Sequence, residues 1–284
     1  MKMKMTIIAV MIPFVFGLVS CSKSKSNTDH PDHAMIILET DWSKLHSSIT
    51  APDKYTVRVG EHTAELQGNK NEFPHLLEHG KSYHINVFTT SSDVSVDGTR
   101  VTVASEPGSK AGEEFIKCQP GLLITWSGDI TNCQRDTKHP VKAVMTPEMR
   151  CLKIILKLEN ENITDHIMAV NSTLSGIAGE IHLDECTLSK SCTTRPSFQR
   201  DNTEYQANLH LLGVLGDAQT LGLELTRSDN SVQTFNIDLS DRLADFNADK
   251  ITPMTIVISG QSIDGLTGTI KDWVVKEGYT GHVN

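Results

Sequence analysis

The sequence has few aromatic residues and lacks the short motifs of common enzyme classes. Phe, Trp and Tyr together make up 5% of the 284 residues. No GxSxG, HExxH or glycine-rich phosphate loop occurs, and these motifs would mark hydrolases, metalloproteases and nucleotide-binding enzymes. No CxxC pair occurs either, so the usual spacing of thioredoxin-type and zinc-knuckle sites is missing. We therefore expect a protein that is not an enzyme and that needs no cofactor.

Long hydrophobic runs are also missing. The strongest run, residues 7–19, has thirteen residues, whereas a transmembrane helix needs roughly 20. Lys2 and Lys4 precede this run, and the small residue Ser20 and then Cys21 follow it. This order is typical of a bacterial lipoprotein signal, in which cleavage after Ser20 leaves an acylated Cys21, with palmitate among the attached chains, at the new amino terminus. An ordinary secretory signal with a chance cysteine is the alternative.

Charge and histidine content restrict the class of partner. Removal of residues 1–20 takes away two lysines and no acid, so the formal charge changes from -9 to -11. An acidic surface of this kind disfavours nucleic acid as a partner. His75, Glu78 and His79 have a spacing that suits a metal site on a helix, but they fall in a short connection after Pro74. We expect exposed histidines there and no metal site.

Most of the chain shows the period-2 alternation of β-strands. Leu152, Ile154 and Leu156 alternate with Lys153 and Lys157, which predicts a strand with one face in water. Helical spacing is convincing only in residues 240–247. The strands predicted on this basis are 34–40, 55–60, 83–90, 94–96, 99–103, 122–126, 140–145, 151–158, 167–174, 179–183, 204–212, 221–227, 232–239, 254–260 and 266–275.

The pattern divides the mature chain into a tether and two all-β domains. Residues 21–33 are polar and predict a flexible tether behind the signal peptide, 1–20. A proline interrupts the strand runs at position 147, so we predict β-sandwich domains at 34–146 and 147–284. In the first domain, Asp97-Gly98 predicts a tight hairpin turn.

Five cysteines remain when Cys21 is set aside, in a compartment that permits disulfides. Cys186 and Cys192 flank a short polar segment, and we predict a disulfide across a hairpin loop there. Cys118 with Cys133 is a second candidate pair. Cys151 opens an apolar strand, where a buried thiol is the usual outcome.

The order of these segments resembles the FimB/Mfa2 family of Bacteroidetes fimbrial subunits, the anchor and accessory lipoproteins of type V pilus systems. The resemblance covers nearly the whole mature chain and rests on the order of several segments. These are the lipobox that ends at Cys21, Ile-Ile-Leu-Glu-Thr-Asp-Trp at 36–42, Asn-Glu-Phe-Pro-His-Leu-Leu-Glu-His-Gly-Lys-Ser-Tyr at 71–83, Met-Ala-Val-Asn-Ser-Thr-Leu-Ser-Gly-Ile-Ala-Gly at 168–179, the strand 209–213, Phe-Asn-Ala-Asp-Lys at 246–250 and Gly-Thr-Ile-Lys-Asp-Trp at 268–273.

The resemblance implies two tandem Greek-key β-sandwiches of transthyretin-like or immunoglobulin-like type. It also implies a lipid-anchored protein at the surface of the outer membrane that attaches fimbriae there and influences their length. The implied partners are fimbrial shaft or accessory subunits, joined by donor-strand addition to a sheet edge. Only nine residues, mostly polar or glycine, follow position 275, and we expect these to be too few for a donor strand of this chain's own.

A surface lipoprotein that binds a glycan or another ligand on a β-sandwich scaffold is the alternative function. Trp42, Trp126 and Trp273 would then form a platform for sugar rings. Each of them lies in or at the end of a predicted strand, so packing against a core is the competing interpretation.

Overall fold

A computed structural model describes residues 33–109, 112–158, 167–262 and 270–276. This part of the chain consists of β-strands, one single-turn helix and one 3-10 turn. The all-β class predicted from the sequence is therefore confirmed.

The strands of the first half are short and follow one another closely. In chain order they are β1 (His33–Asp41), β2 (Lys54–Val59), β3 (His62–Gln67), β4 (Lys70–Glu72), β5 (Leu77–Glu78), β6 (Tyr83–Phe88), β7 (Val94–Asp97), β8 (Arg100–Val103), β9 (Ser105–Pro107), β10 (Glu114–Ile116), β11 (Ile124–Ile130), β12 (Lys138–Val144) and β13 (Thr146–Pro147).

The second half contains longer strands and the helical turns. Its elements are β14 (Arg150–Leu158), β15 (Ile167–His182), β16 (Thr187–Thr194), β17 (Gln199–Asp201), β18 (Glu204–Leu211), β19 (Thr220–Arg227), β20 (Val232–Asp238), helix α1 (Ser240–Leu243), a 3-10 turn (Phe246–Ala248), β21 (Met254–Ser262) and β22 (Ile270–Lys276).

Two sheets form a sandwich in the first half. One sheet has the order β12-β1-β4, with β5 also paired to β1, and the other has the order β13-β11-β6-β2-β3. Their inward side chains share one core, because alternate residues of each strand point to the same face. Fully buried members of this core include Ile36, Leu38, Tyr55, Val57 and Ile85.

A second sandwich has a larger core. Its five-stranded sheet has the order β17-β18-β14-β21-β22, and its eight-stranded sheet runs β20-β19-β15-β16-β10-β9 with the β7–β8 hairpin attached to β15. The predicted alternation in β14 is confirmed, since Leu152, Ile154 and Leu156 are buried in this core. Leu243 of α1 and Phe246 of the 3-10 turn are buried in the same core.

The predicted division at residue 147 separates the two cores only in part. β8 pairs with β15, and β10 pairs with β16, so strands from 94–116 belong to the sheet of the second sandwich. Val101, Val103 and Ile116 accordingly lie in the second core. The domain limits 34–146 and 147–284 are wrong for this segment, because its polar connections give no sign of which sheet it joins.

Several local predictions differ from the structure. Asp97 pairs with Arg100, so the two-residue turn is Gly98-Thr99, one position later than predicted, with Gly98 at φ +59°. The two strands predicted at 167–174 and 179–183 are one strand, β15, with a register shift between Leu174 and Ile177. The two-turn helix predicted at 240–247 is a single helical turn followed by a 3-10 turn.

Candidate anchoring strand and partner-binding surfaces

β1 is the strand that follows the predicted lipid tether, and it lies in the middle of its sheet. It pairs in parallel with β12 from Met35–Lys138 to Asp41–Val144 and pairs antiparallel with β4 on its other side. Lys142 Nζ of β12 lies 2.9 Å from Asp41 Oδ2 at the end of the strand. Ser20 and Cys21, the predicted cleavage site and lipid anchor, lie outside the described residues.

The side chains of β1 alternate between buried and outward-facing positions, and this pattern explains how the strand is fixed in the fold. Ala34, Ile36, Leu38 and Thr40 point into the first core and are almost completely buried, while the intervening side chains face outward. Such a strand is fixed by hydrogen bonds on both sides and by apolar burial on one face. The amino-terminal end of the described chain is therefore rigidly attached to the fold.

β3 is an outer strand of the first sandwich. Among the described strands it pairs only with β2. It contains neither lysine nor proline, which are the residues that commonly protect an edge from pairing with another chain. Ala64 and Leu66 are half-buried against the first core, so one face of β3 is apolar. Within the described residues, no strand pairs with the outer edge of β3.

His75 and His79, which were considered as metal ligands, make separate contacts with other residues. Leu77–Glu78 forms β5, so His75, Glu78 and His79 do not share a helical face. The His75 ring stacks on His62 with centroids 4.5 Å apart, and His79 Nδ1 lies 2.9 Å from the carbonyl oxygen of Cys133. Within the residues that the structure covers, no three potential ligands come together.

The predicted disulfide between Cys186 and Cys192 is wrong, because both are free thiols. The segment between them is the start of β16, and Cys192 pairs with Ile177 well away from the hairpin turn. Five strand positions span roughly 17 Å, whereas the Cα atoms of a disulfide lie within about 7 Å. Cys118, Cys133 and Cys151 are also free, and burial raises the pKa of the Cys133 and Cys151 thiols.

The tryptophans do not form a common platform in the described structure. Trp42 follows β1 and lies edge-on to Tyr55, with ring centroids 6.0 Å apart. Trp126 belongs to β11 in the opposite sheet, and both indoles are half-buried against the first core. The side chain of Trp273 lies outside the described part.

A polar groove on the second sandwich was missed by sequence reasoning. The outward faces of β15, β19 and β20 form its floor, and residues 195–198 form its wall, around a cavity of about 620 Å³. Asn171 pairs across the strands with Glu224, and Asn171 Nδ2 donates to Glu224 Oε1 over 3.2 Å. The only signal in the sequence was the polar half of each alternating strand, which any solvated face also shows.

Glu180 is a buried carboxylate on β15 that joins the first half of the chain to the second. Its oxygens accept hydrogen bonds from Arg100 Nη2 at 2.6 Å and Ser189 Oγ at 3.0 Å, and His182 Nε2 lies 3.2 Å away. The hydrogen bond from Arg100 is the main cause that lowers the pKa of Glu180. The pair fixes β8 against β15.

The sequence of the second sandwich carries a family signature. Residues 117–278, more than half of the chain, match the model of the fimbrillin-A associated anchor proteins Mfa1 and Mfa2. The chain belongs to this family. Membership confirms the resemblance drawn from segment order, and it associates the protein with fimbriae.

Solved structures share the fold at low sequence identity. A candidate adhesin from Bacteroides ovatus has a TM-score of 0.55 at 12% identity, with 84% of this chain and 93% of that chain covered. The fimbrial anchor protein Mfa2 from Porphyromonas gingivalis has a TM-score of 0.53 at 10% identity, with coverage of 87% and 98%. A candidate polysaccharide-binding protein from Bacteroides thetaiotaomicron has a TM-score of 0.52 at 10% identity, with coverage of 80% and 91%.

Two negative findings concern this member of the Mfa1 and Mfa2 anchor family. No curated protein matches its sequence closely enough to count as a relative. In the part of the chain that the structure describes, no helix is both long and apolar enough to cross a membrane.

Proposed function

We propose that this protein is an outer-membrane lipoprotein that anchors fimbriae at the cell surface through an acylated Cys21. The observation that carries the proposal is the match to the fimbrial anchor family over residues 117–278. The position of β1 supports it, because this strand begins directly after the predicted tether and is paired on both sides. A force applied along a centrally paired strand must break several backbone hydrogen bonds together, so β1 suits a load-bearing role.

The attachment to the fimbria occurs by strand addition. An extended segment of a shaft or accessory subunit pairs with an open sheet edge, where backbone hydrogen bonds supply affinity and alternate side chains supply register. The edge of β3 is compatible with this mode, since Ala64 and Leu66 present an apolar face there. An anchor that occupies the end of the shaft also influences its length.

Deletion of the gene tests the anchoring role. We expect fimbriae to appear in the culture medium and their length distribution to widen, and we expect reintroduction of the intact gene to reverse both changes. Electron microscopy measures length, and immunoblotting of cell and medium fractions measures release. Normal attachment and length in the deletion strain would count against the proposal.

Hydrogen exchange tests strand addition separately. When the purified anchor binds its shaft subunit, amide protons along one edge strand should become protected in an alternating pattern, because every second residue of an edge strand points its N–H outward. β3 serves as the first strand to inspect, and β1, already paired on both sides, serves as the internal control. A complex in which no edge strand gains protection argues against strand addition while leaving anchoring intact.

A further inference from the structure

We propose that the groove formed by β15, β19, β20 and residues 195–198 binds a neutral oligosaccharide. This inference goes beyond fimbrial anchoring and does not depend on it. Its basis is the combination of a groove of suitable volume, a regular set of mostly uncharged hydrogen-bonding groups and a fixed wall.

The floor of the groove is a ladder of polar side chains. Two cross-strand rows point outward side by side, and each member of a row lies opposite the next in the register of the sheet. The rows are Asn171–Glu224–Thr234 and Thr173–Gly222–Asn236. A carboxamide offers one acceptor and two donors, and a hydroxyl offers both functions. This set matches neighbouring hydroxyl groups of a sugar ring, which also donate and accept.

Gly222 lies in the middle of this floor, directly beside the Thr173 hydroxyl. A methyl group there would lie 2.8 Å from Thr173 Oγ1 and 3.6 Å from Asn236 Oδ1. Glycine at this position therefore lets the Thr173 hydroxyl keep its place on the floor beside the Asn236 carboxamide. The cavity of about 620 Å³ falls in the range of about 300–1,000 Å³ that is usual for small-molecule sites.

The wall of the groove is held in place by contacts on both sides. Ser172 Oγ donates a hydrogen bond of 2.8 Å to the carbonyl oxygen of Pro196. The Arg195 guanidinium lies over the ring of Phe115, with its Cζ atom 3.6 Å from the ring centroid, which is a cation–π contact. A wall fixed in this way gives the site a preformed shape and lowers the entropic cost of binding.

The charges of the groove favour a neutral ligand. The lining contains one carboxylate, Glu224, and one guanidinium, Arg195. The carboxylate lies in the central strand of the floor, where it would repel a sialic acid or a sulfate group. Phe198 is half-buried in the wall and adds an apolar surface, which suits the less polar face of a sugar ring.

A glycan array followed by calorimetry tests this site. The probe is a panel of neutral oligosaccharides built from hexoses and N-acetylhexosamines, together with sialylated and sulfated versions, applied to the intact mature protein in detergent. The strongest neutral ligand is then titrated against Asn171→Ala and Glu224→Gln. Asn208→Ala is the matched control, since this exposed asparagine lines a separate polar cavity beside β17 and β18.

We expect a neutral oligosaccharide to bind and its affinity to fall at least tenfold in both groove variants, with little change in Asn208→Ala. Both groove residues are exposed, so thermal unfolding should show that the variants remain folded. The inference is overturned if no neutral oligosaccharide binds at millimolar concentration or if only acidic glycans bind. Neutral binding that survives both groove substitutions also overturns it. None of these results bears on anchoring, which the deletion strain tests.

Discussion

At the scale of single residues, Glu180 connects stability to pH. Its carboxylate is buried, with 6% of the side chain exposed, and it accepts hydrogen bonds from Arg100 and Ser189. Because these contacts lower the pKa of Glu180, their contribution is present above the ordinary value of 4.5 and is lost as the pH falls through the lowered pKa.

We predict that Glu180→Gln lowers the free energy of unfolding by about 1.5–3 kcal/mol at neutral pH, the usual contribution of hydrogen bonds to a charged group. The difference from the wild type should shrink as the pH falls below 4.5, because the carboxylate of the unfolded chain then takes up a proton before the native one does. Urea denaturation at several pH values measures both effects. Glu65→Gln is the matched control, since Glu65 forms an exposed ion pair with Lys54, and exposed pairs contribute little. Equal effects of the two substitutions would contradict this assignment.

At the scale of elements, β1 offers a direct comparison between its two faces. Ile36 is completely buried in the first core, and its neighbour Ile37 is half-buried on the opposite face. We predict that Ile36→Ala lowers the free energy of unfolding by about 2–5 kcal/mol, through lost burial and the cavity left behind. Ile37→Ala should cost clearly less. Denaturant unfolding of the pair provides the measurement, and a reversed order would mean that β1 faces the core with its other side.

The strands predicted well from the sequence are those with one buried face. β14 is an example, because Leu152, Ile154 and Leu156 alternate with lysines and the core takes up the apolar set. The sequence does not predict β3 and β16. β3 is an outer strand with few apolar residues, and β16 is mostly polar. β3 has only Ala64 and Leu66 as apolar residues, and β16 is mostly threonine, serine and lysine. Their strand structure comes from pairing with a neighbour, and a single sequence does not show that neighbour.

Strand pairing also explains why the sequence does not predict the groove or the separation of Cys186 from Cys192. The predicted lipobox and the family resemblance depend on local residues and their order, so the sequence alone is enough to propose them. The groove is assembled from three strands and residues 195–198, and Asn171 meets Glu224 only through the register of β15 with β19. Cys186 and Cys192 were paired by their spacing, but the pairing of β15 with β16 separates them.

At the scale of the whole molecule, the two sandwiches share part of the chain. β8 and β10 come from the first half and pair with β15 and β16 of the second. Arg58 of β2 adds a contact between the two sandwiches, since its guanidinium donates to the carbonyl oxygens of Val96 and Gly98. The second sandwich therefore depends on residues that precede position 147.

We predict that a fragment of residues 147–284 does not fold, whereas residues 89–284 retain a cooperative transition for the second core. The shorter fragment lacks Val101, Val103 and Ile116, all buried in that core. Near-ultraviolet circular dichroism and thermal unfolding of both fragments supply the comparison. A cooperative transition in the shorter fragment would show that β7 to β10 are dispensable.

Attachment of fimbriae through the lipid at Cys21 is the central claim. Its most direct measurement is the fraction of fimbriae in the culture medium when the deletion strain carries a form whose residues 1–20 are replaced by an ordinary secretory signal and whose Cys21 is alanine. The matched control keeps the native signal and Cys21 and carries Cys186→Ala, a change at an exposed free thiol. We predict that fimbriae are released into the medium with the first form and stay on the cells with the control. Fimbriae that remain attached when Cys21 is absent would contradict the account.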